Sequence, residues 1–239
     1  MEAEGLVNFG EIFHPEPLPG ARGSFREFAT ANDFRLVDVR SSSGLTDIAQ
    51  RYLAWLIRQA AARHFLIDVK LNAWLALSGW WQYPTREPFF LQQLKRECAI
   101  FIFVWRESLG DQVLSHFISN KLGIWHNLSA AKVAGRTLQA PVGRLKSLAA
   151  TILRAEAEMH DHLRNYRSKI VIRYEDLFEA GVLTSQFRRA FRQVARFDLP
   201  LAQPGIHPNS VPKREIIENY DEVMAAIAPL ARQRHLPSS

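Results

Sequence analysis

Three short runs constrain this 239-residue chain more than anything else in it: "HFLIDVKL" from His64, "CAIFIFVW" from Cys98 and "KIVIRY" from Lys169. Each is apolar with little of the in–out alternation of a half-solvated strand, and long helix-patterned stretches separate them. Strands joined through helices pair in parallel, because a parallel neighbour needs a long crossover. The expectation is an α/β fold: one parallel sheet covered by helices on both faces, in a single domain over residues 1–239. The helices are expected over "SGLTDIAQRYLAWLIRQAAARHF" (capped at Thr46 or Asp47), "REPFFLQQLKRE", 108–125, 143–167 and 214–228. In the first of these Ile48, Tyr52, Leu53, Leu56, Ile57 and Ala60 form an apolar stripe. Residues 14–24, "HPEPLPGARGS", read as a loop.

Parallel sheets bind ligands beyond the carboxyl ends of their strands. Glu11, Lys70, Arg106 and Tyr174 all stand at or just past such ends, which is the first argument for a single site. Composition narrows the options. Apolar residues make up 47% and charged residues 23%, ordinary for a folded domain. The longest apolar run is far short of the roughly twenty residues that cross a bilayer, so no transmembrane segment is expected. "MEAEGLVNFGEIF" opens acidic, without the basic start of a signal peptide, and the cytoplasm is the expected location. The one cysteine, Cys98, excludes an internal disulfide and reads as a small buried hydrophobe.

The net charge of +6 is unevenly spread. Residues 1–120 hold 12 Lys/Arg against 13 Asp/Glu, and residues 121–239 hold 18 against 11. The basic excess is either a solvated face or a field for an anionic ligand, a polynucleotide or a lipid surface. No Lys/Arg run is interleaved with aromatics, so no nucleic-acid partner is expected. His160 and His162, two apart on a helix, face different directions and make a poor metal pair. Neither a nucleotide-triphosphate P-loop signature nor a Gly-x-Ser-x-Gly elbow occurs.

Four segments in order carry a resemblance. "WRESLGDQVLSHFISNKLGIWH" places Arg106 at a strand exit, then Gln112 and Ser115 on a helix, then Trp125; "IRYEDL" follows near Tyr174; "FGEIFHP" and "DVKLN" stand earlier. Together these resemble the PAPS-dependent sulfotransferases (PAPS is 3′-phosphoadenosine-5′-phosphosulfate), in their bacterial trehalose-sulfotransferase-like branch, over roughly residues 5–180. The resemblance implies a P-loop-NTPase-like sulfotransferase fold. It also implies transfer of a sulfuryl group from PAPS to a hydroxyl of a carbohydrate or glycolipid. PAPS or its product PAP would be the co-substrate, with no metal. Arg106 and Ser115 would hold the 3′-phosphate, Glu11 would deprotonate the acceptor, and Lys70 would meet the sulfate or the bridging oxygen. Lys213, with Arg214, would belong to a late basic segment folded over the nucleotide.

The branch also carries a strand and a phosphate loop ahead of its Gly-Glu segment. The ten residues before Glu11 hold no such turn, and "PGARGSF" lies on the wrong side of Glu11 to replace it. Preorganised donors on a transferring group are each worth about 10²–10³ in rate. The expectation is therefore a chain lacking the first strand and loop, either inactive or truncated, whose alternative is a non-catalytic nucleotide- or partner-binding remnant. An unpaired strand edge would favour a homodimer.

Each residue also has a plainer reading. Arg106 could pair with Glu107 or Asp111 at the surface, and Ser115 could be an ordinary helix serine. Glu11, beside Phe9, Ile12 and Phe13, is either a base favoured by apolar neighbours or a solvated glutamate. Lys70 could point to solvent, Tyr174 and Glu175 could be structural, and Lys213 could begin a solvated helix. "WLALSGWWQY", Trp74 to Tyr83, is either core or a platform for a sugar.

Overall fold

The structure is a computed structural model and describes residues 6–13, 23–32, 41–61, 63–70, 87–123, 135–179, 182–199 and 212–234. Within them the order is β1 (Leu6–Glu11), α1 (Phe25–Ala31), α2 (Ser42–Ala60), β2 (His64–Asp68), α3 (Phe89–Arg96), β3 (Phe101–Trp105) and α4 (Leu109–Leu122). There follow α5 (Val142–Leu163), β4 (Lys169–Arg173), a 3₁₀ turn (Tyr174–Asp176), the hairpin β5 (Phe178–Glu179) and β6 (Val182–Leu183), α6 (Ser185–Ala195), α7 (Lys213–Ile216) and α8 (Tyr220–Ala231). The protein is mixed α/β with small parallel strand pairs: β1 with β2, and β3 with β4. The segments group into two compact units, one formed mainly by residues 1–100 and the other mainly by 101–161, 169–199 and 203–239.

In the first unit α2 supplies the scaffold. Ser41 caps it by accepting from the Gly44 amide, so it begins ahead of the expected Thr46 or Asp47. Of the expected stripe, Ile48, Tyr52, Leu53, Leu56 and Ala60 are buried, joined by Leu45 and Ala49, whereas Ile57 is 44% exposed at the edge of that face. Tyr52 is the hub of an aromatic cluster with Phe13, Phe25, Phe28, Trp55 and Phe90, ring centroids 5.0 to 6.1 Å away. Its hydroxyl donates to the Gly23 carbonyl at 2.6 Å. Burial, with Glu27 adding, pushes the phenol well above its ordinary pKa. Gly23 itself has φ +81, and a Cβ there would meet the Phe9 ring at 2.6 Å.

In the second unit β3 and β4 run in register from Phe101↔Lys169 to Trp105↔Arg173. Ile170 and Ile172 of β4 pack on Phe187 and Phe191 of α6, a helix the apolar pattern along the chain had not suggested. A larger core joins α4, α5, α7 and α8 around Leu109, Val113, Leu114, Ile118, Leu145, Val223 and Ile227.

Full cover on both faces of the strands is not what the structure has. Leu66 on β2 is 43% exposed and Val104 on β3 40%, so uniformly apolar runs form strands with one partly solvated face. Cys98 is exposed rather than buried. It occupies a left-handed turn, φ 55, between α3 and β3, ahead of the first buried residue of that strand, Phe101. The expected 214–228 helix is two pieces, α7 and α8, broken at Ile217, which bridges to Leu138.

Candidate functional site

The two parallel pairs each bring two of the predicted residues to their carboxyl end. In the first unit β1 closes with Glu11 opposite Asp68. The register shifts between Asn8 and Glu11, and Gly10 has φ +64. That is the geometry of a bulge with glycine in the left-handed region. Nothing lies within 4 Å of a Cβ built on Gly10, so the backbone angle alone calls for glycine there. The bulge breaks the alternation of Val7 and Phe9: Ile12 goes fully into the core, while Glu11 stays half-buried. Lys70 lies two residues beyond β2 and is exposed, its ammonium bound to the Asp68 carboxylate. Glu11, Asp68 and Lys70 thus share one strand end, two acids against one base.

In the second unit the register partners Trp105 and Arg173 are followed by Arg106 and Tyr174, which leave the strands side by side. The Arg106 guanidinium lies over the Tyr174 ring, 4.2 Å from its centroid. It pairs with neither Glu107 nor Asp111. Glu107 is held by Arg173 at 3.3 Å and Asp111 by Lys213 at 3.1 Å. Arg173 also grips Asp176 through two nitrogens, at 2.5 and 2.9 Å. That hydrogen bond, with the charge of Asp176, raises the arginine's pKa further. Glu175 is structural too, accepting from the Glu107 amide at 3.1 Å. Among the described residues the Arg106 side chain makes no hydrogen bond and no ion pair, and its neighbours' carboxylates are already occupied.

Helix α4 starts directly after this exit, capped by Ser108, whose hydroxyl accepts from the Asp111 amide at 3.1 Å. Gln112 and Ser115, three residues apart, lie on one face of α4. The Gln112 side-chain oxygen and the Ser115 hydroxyl are both buried and without a hydrogen-bond partner among the described residues. Buried polar atoms are normally paired, so each such orphan needs a reason. Lys213, expected over a nucleotide, is instead half-buried and engaged with the first turn of α4.

One contributor belongs to none of the motifs. Arg234, just past α8, holds Glu156 of α5 through two nitrogens, and the two side chains are only 6% and 10% exposed. The same guanidinium donates to the Arg106 and Glu107 carbonyls and lies over the Trp105 ring. It clamps the turn from which Arg106 projects. The sequence does carry a signal: Glu156 falls on the buried stripe Leu145, Ala149, Glu156, Met159, Leu163 of α5, where a carboxylate requires a partner.

Trp125 and the Trp74–Tyr83 cluster lie outside the described residues. Among the described residues no group of three or more His, Cys, Asp or Glu is placed to hold a metal ion, and no helix is long and apolar enough to cross a membrane. Comparison of the chain with models of known protein families, with curated proteins and with solved structures finds no significant match to any of them.

Proposed function

We propose that this protein is sulfotransferase-like, with a P-loop-NTPase-like ancestry, and binds the 3′-phosphate of PAPS or PAP at the carboxyl end of β3–β4. The observation that carries the reading is Arg106: a guanidinium lying over the Tyr174 ring, with no carboxylate partner among the described residues, at the exit of a parallel strand. A planar fork in that state suits two oxygens of a phosphate. Ser115 would add its hydroxyl, which would give that unpaired atom a use. In the enzyme reading Glu11 takes the acceptor's proton, the acceptor being a carbohydrate or glycolipid hydroxyl, and Lys70 neutralises charge on the transferring sulfate. Sulfuryl transfer, like phosphoryl transfer, asks the protein mainly for positioning and charge neutralisation.

A second reading, a nucleotide-binding protein without turnover, has one observation in its favour. The Lys70 charge is already offset by Asp68, and Glu11 faces that same carboxylate across the strands. Calorimetric titration with PAP, alongside an assay of PAP release from PAPS in the presence of glycan acceptors, separates the two. Binding with release supports the enzyme, and binding without release supports the remnant. No PAP binding at all overturns the proposal.

A further inference from the structure

Helix α6 carries a feature unrelated to the nucleotide reading. Thr184 caps it, and Phe187, Ala190, Phe191 and Val194 turn toward β4. Arg188, Arg189, Arg192 and Arg196 are all exposed. At 3.6 residues per turn Arg188, Arg189 and Arg192 fall within an arc of about 100° along about 6 Å of helix, and Arg196 follows at its C-cap. Only Arg192 has a carboxylate partner, the equally exposed Asp198 at 2.6 Å; among the described residues the other three side chains have none. Arg196 also occupies the left-handed C-cap, φ 61, a conformation that favours glycine. An arginine kept where the backbone prefers glycine is consistent with a use for its side chain.

We infer that the α6 arginine stripe docks the protein peripherally on an anionic phospholipid surface. The apolar face of the helix is consumed by β4, so insertion into a bilayer is closed to it and only charge is on offer. The stripe is a row on one exposed helix, suited to touching a plane of headgroups at several points together. Single-stranded nucleic acid fits it less well. Such binding relies on aromatic rings that stack bases, and the stripe's own positions are all arginine.

The test is co-sedimentation of the full chain with vesicles of phosphatidylcholine, with and without phosphatidylserine. Binding is expected only to the phosphatidylserine vesicles, and it should fade as salt shortens the Debye length from about 30 Å at 0.01 M to about 10 Å at 0.1 M. Arg188→Gln/Arg192→Gln should weaken it roughly fivefold per arginine, about 25-fold for the pair. Arg144→Gln/Lys146→Gln on α5 removes the same charge from another exposed surface and should change it less than twofold. Replacing the four stripe residues by lysine should preserve binding, a control against misfolding. Equal losses from the two double variants would show a net-charge effect and overturn the inference. So would equal binding to neutral vesicles, or tighter binding to a DNA duplex than to the anionic vesicles at matched charge and salt.

Discussion

At the carboxyl end of β1–β2 the basic residue Lys70 lies against Asp68, whereas at the carboxyl end of β3–β4 the basic residue Arg106 lies against the ring of Tyr174. Both ends are built alike: two parallel strands, one acid or aromatic at the tip, one cation just beyond. In the first, the cation is neutralised and solvated. In the second, the nearby carboxylates are engaged by other groups: Glu107 and Asp176 by Arg173, Asp111 by Lys213, Glu156 by Arg234, and Glu175 by the Glu107 amide. The difference teaches that a cation's availability is decided by its neighbours' pairings, not by its own position at a strand end.

The largest expected effect attacks the second end. Glu156→Ala leaves the Arg234 guanidinium buried and unpaired, and should cost about 3–5 kcal/mol in denaturant unfolding. If the clamp positions Arg106, PAP affinity should fall in the same variant under conditions where it remains folded. Next comes Tyr52, the hub of the first unit. Tyr52→Phe removes the hydrogen bond to the Gly23 carbonyl and should cost about 1–3 kcal/mol.

The same tyrosine sets an alkaline limit. Its pKa is raised in the folded state, so its contribution is complete below the unfolded value of about 10. Above that pH the contribution is lost at about 1.4 kcal/mol per pH unit. Unfolding titrations should show that slope in the wild type and its loss in Tyr52→Phe. Smaller again is Gly10→Ala, which forces a side chain into the left-handed region at the bulge and should cost about 1–2 kcal/mol. Smallest are Lys70→Ala and Arg106→Ala, each an exposed or half-buried cation, with stability changes of about 0.5 kcal/mol or less. Equal stability losses with unequal effects on anion binding would sharpen the contrast between the two ends; equal effects on both would dissolve it.

Much of the framework was readable along the chain. The parallel pairing, the strands near 64, 101 and 169, and the helix from 109 followed from apolar runs of strand length alternating with helical spacing. Other features depended on contacts that no local pattern reports. Uniform apolarity predicted strands buried on both faces, yet Leu66 and Val104 are solvated. The cap of α2 fell to Ser41 because any of several hydroxyls upstream could close that helix. Helix α6 is hard to read along the chain because three arginines dilute its apolar residues, although Phe187, Phe191 and Val194 keep helical spacing after the capping Thr184. At the site, Arg106 and Ser115 could be singled out by type and place. Tyr174 as the ring beneath Arg106, and Arg234 from near the far end of the chain, became visible only when register and tertiary packing set them side by side.

A 3′-phosphate is the anion proposed for Arg106. The most direct measurement is the ratio of affinities for PAP and for adenosine 5′-phosphate, which lacks that group, in the wild type and in Arg106→Ala. A charge-assisted hydrogen bond is worth about 1.5–3 kcal/mol, so the wild type should prefer PAP at least tenfold and the variant should lose the preference while keeping its affinity for adenosine 5′-phosphate. A preference for PAP that survives the substitution undiminished would contradict the account.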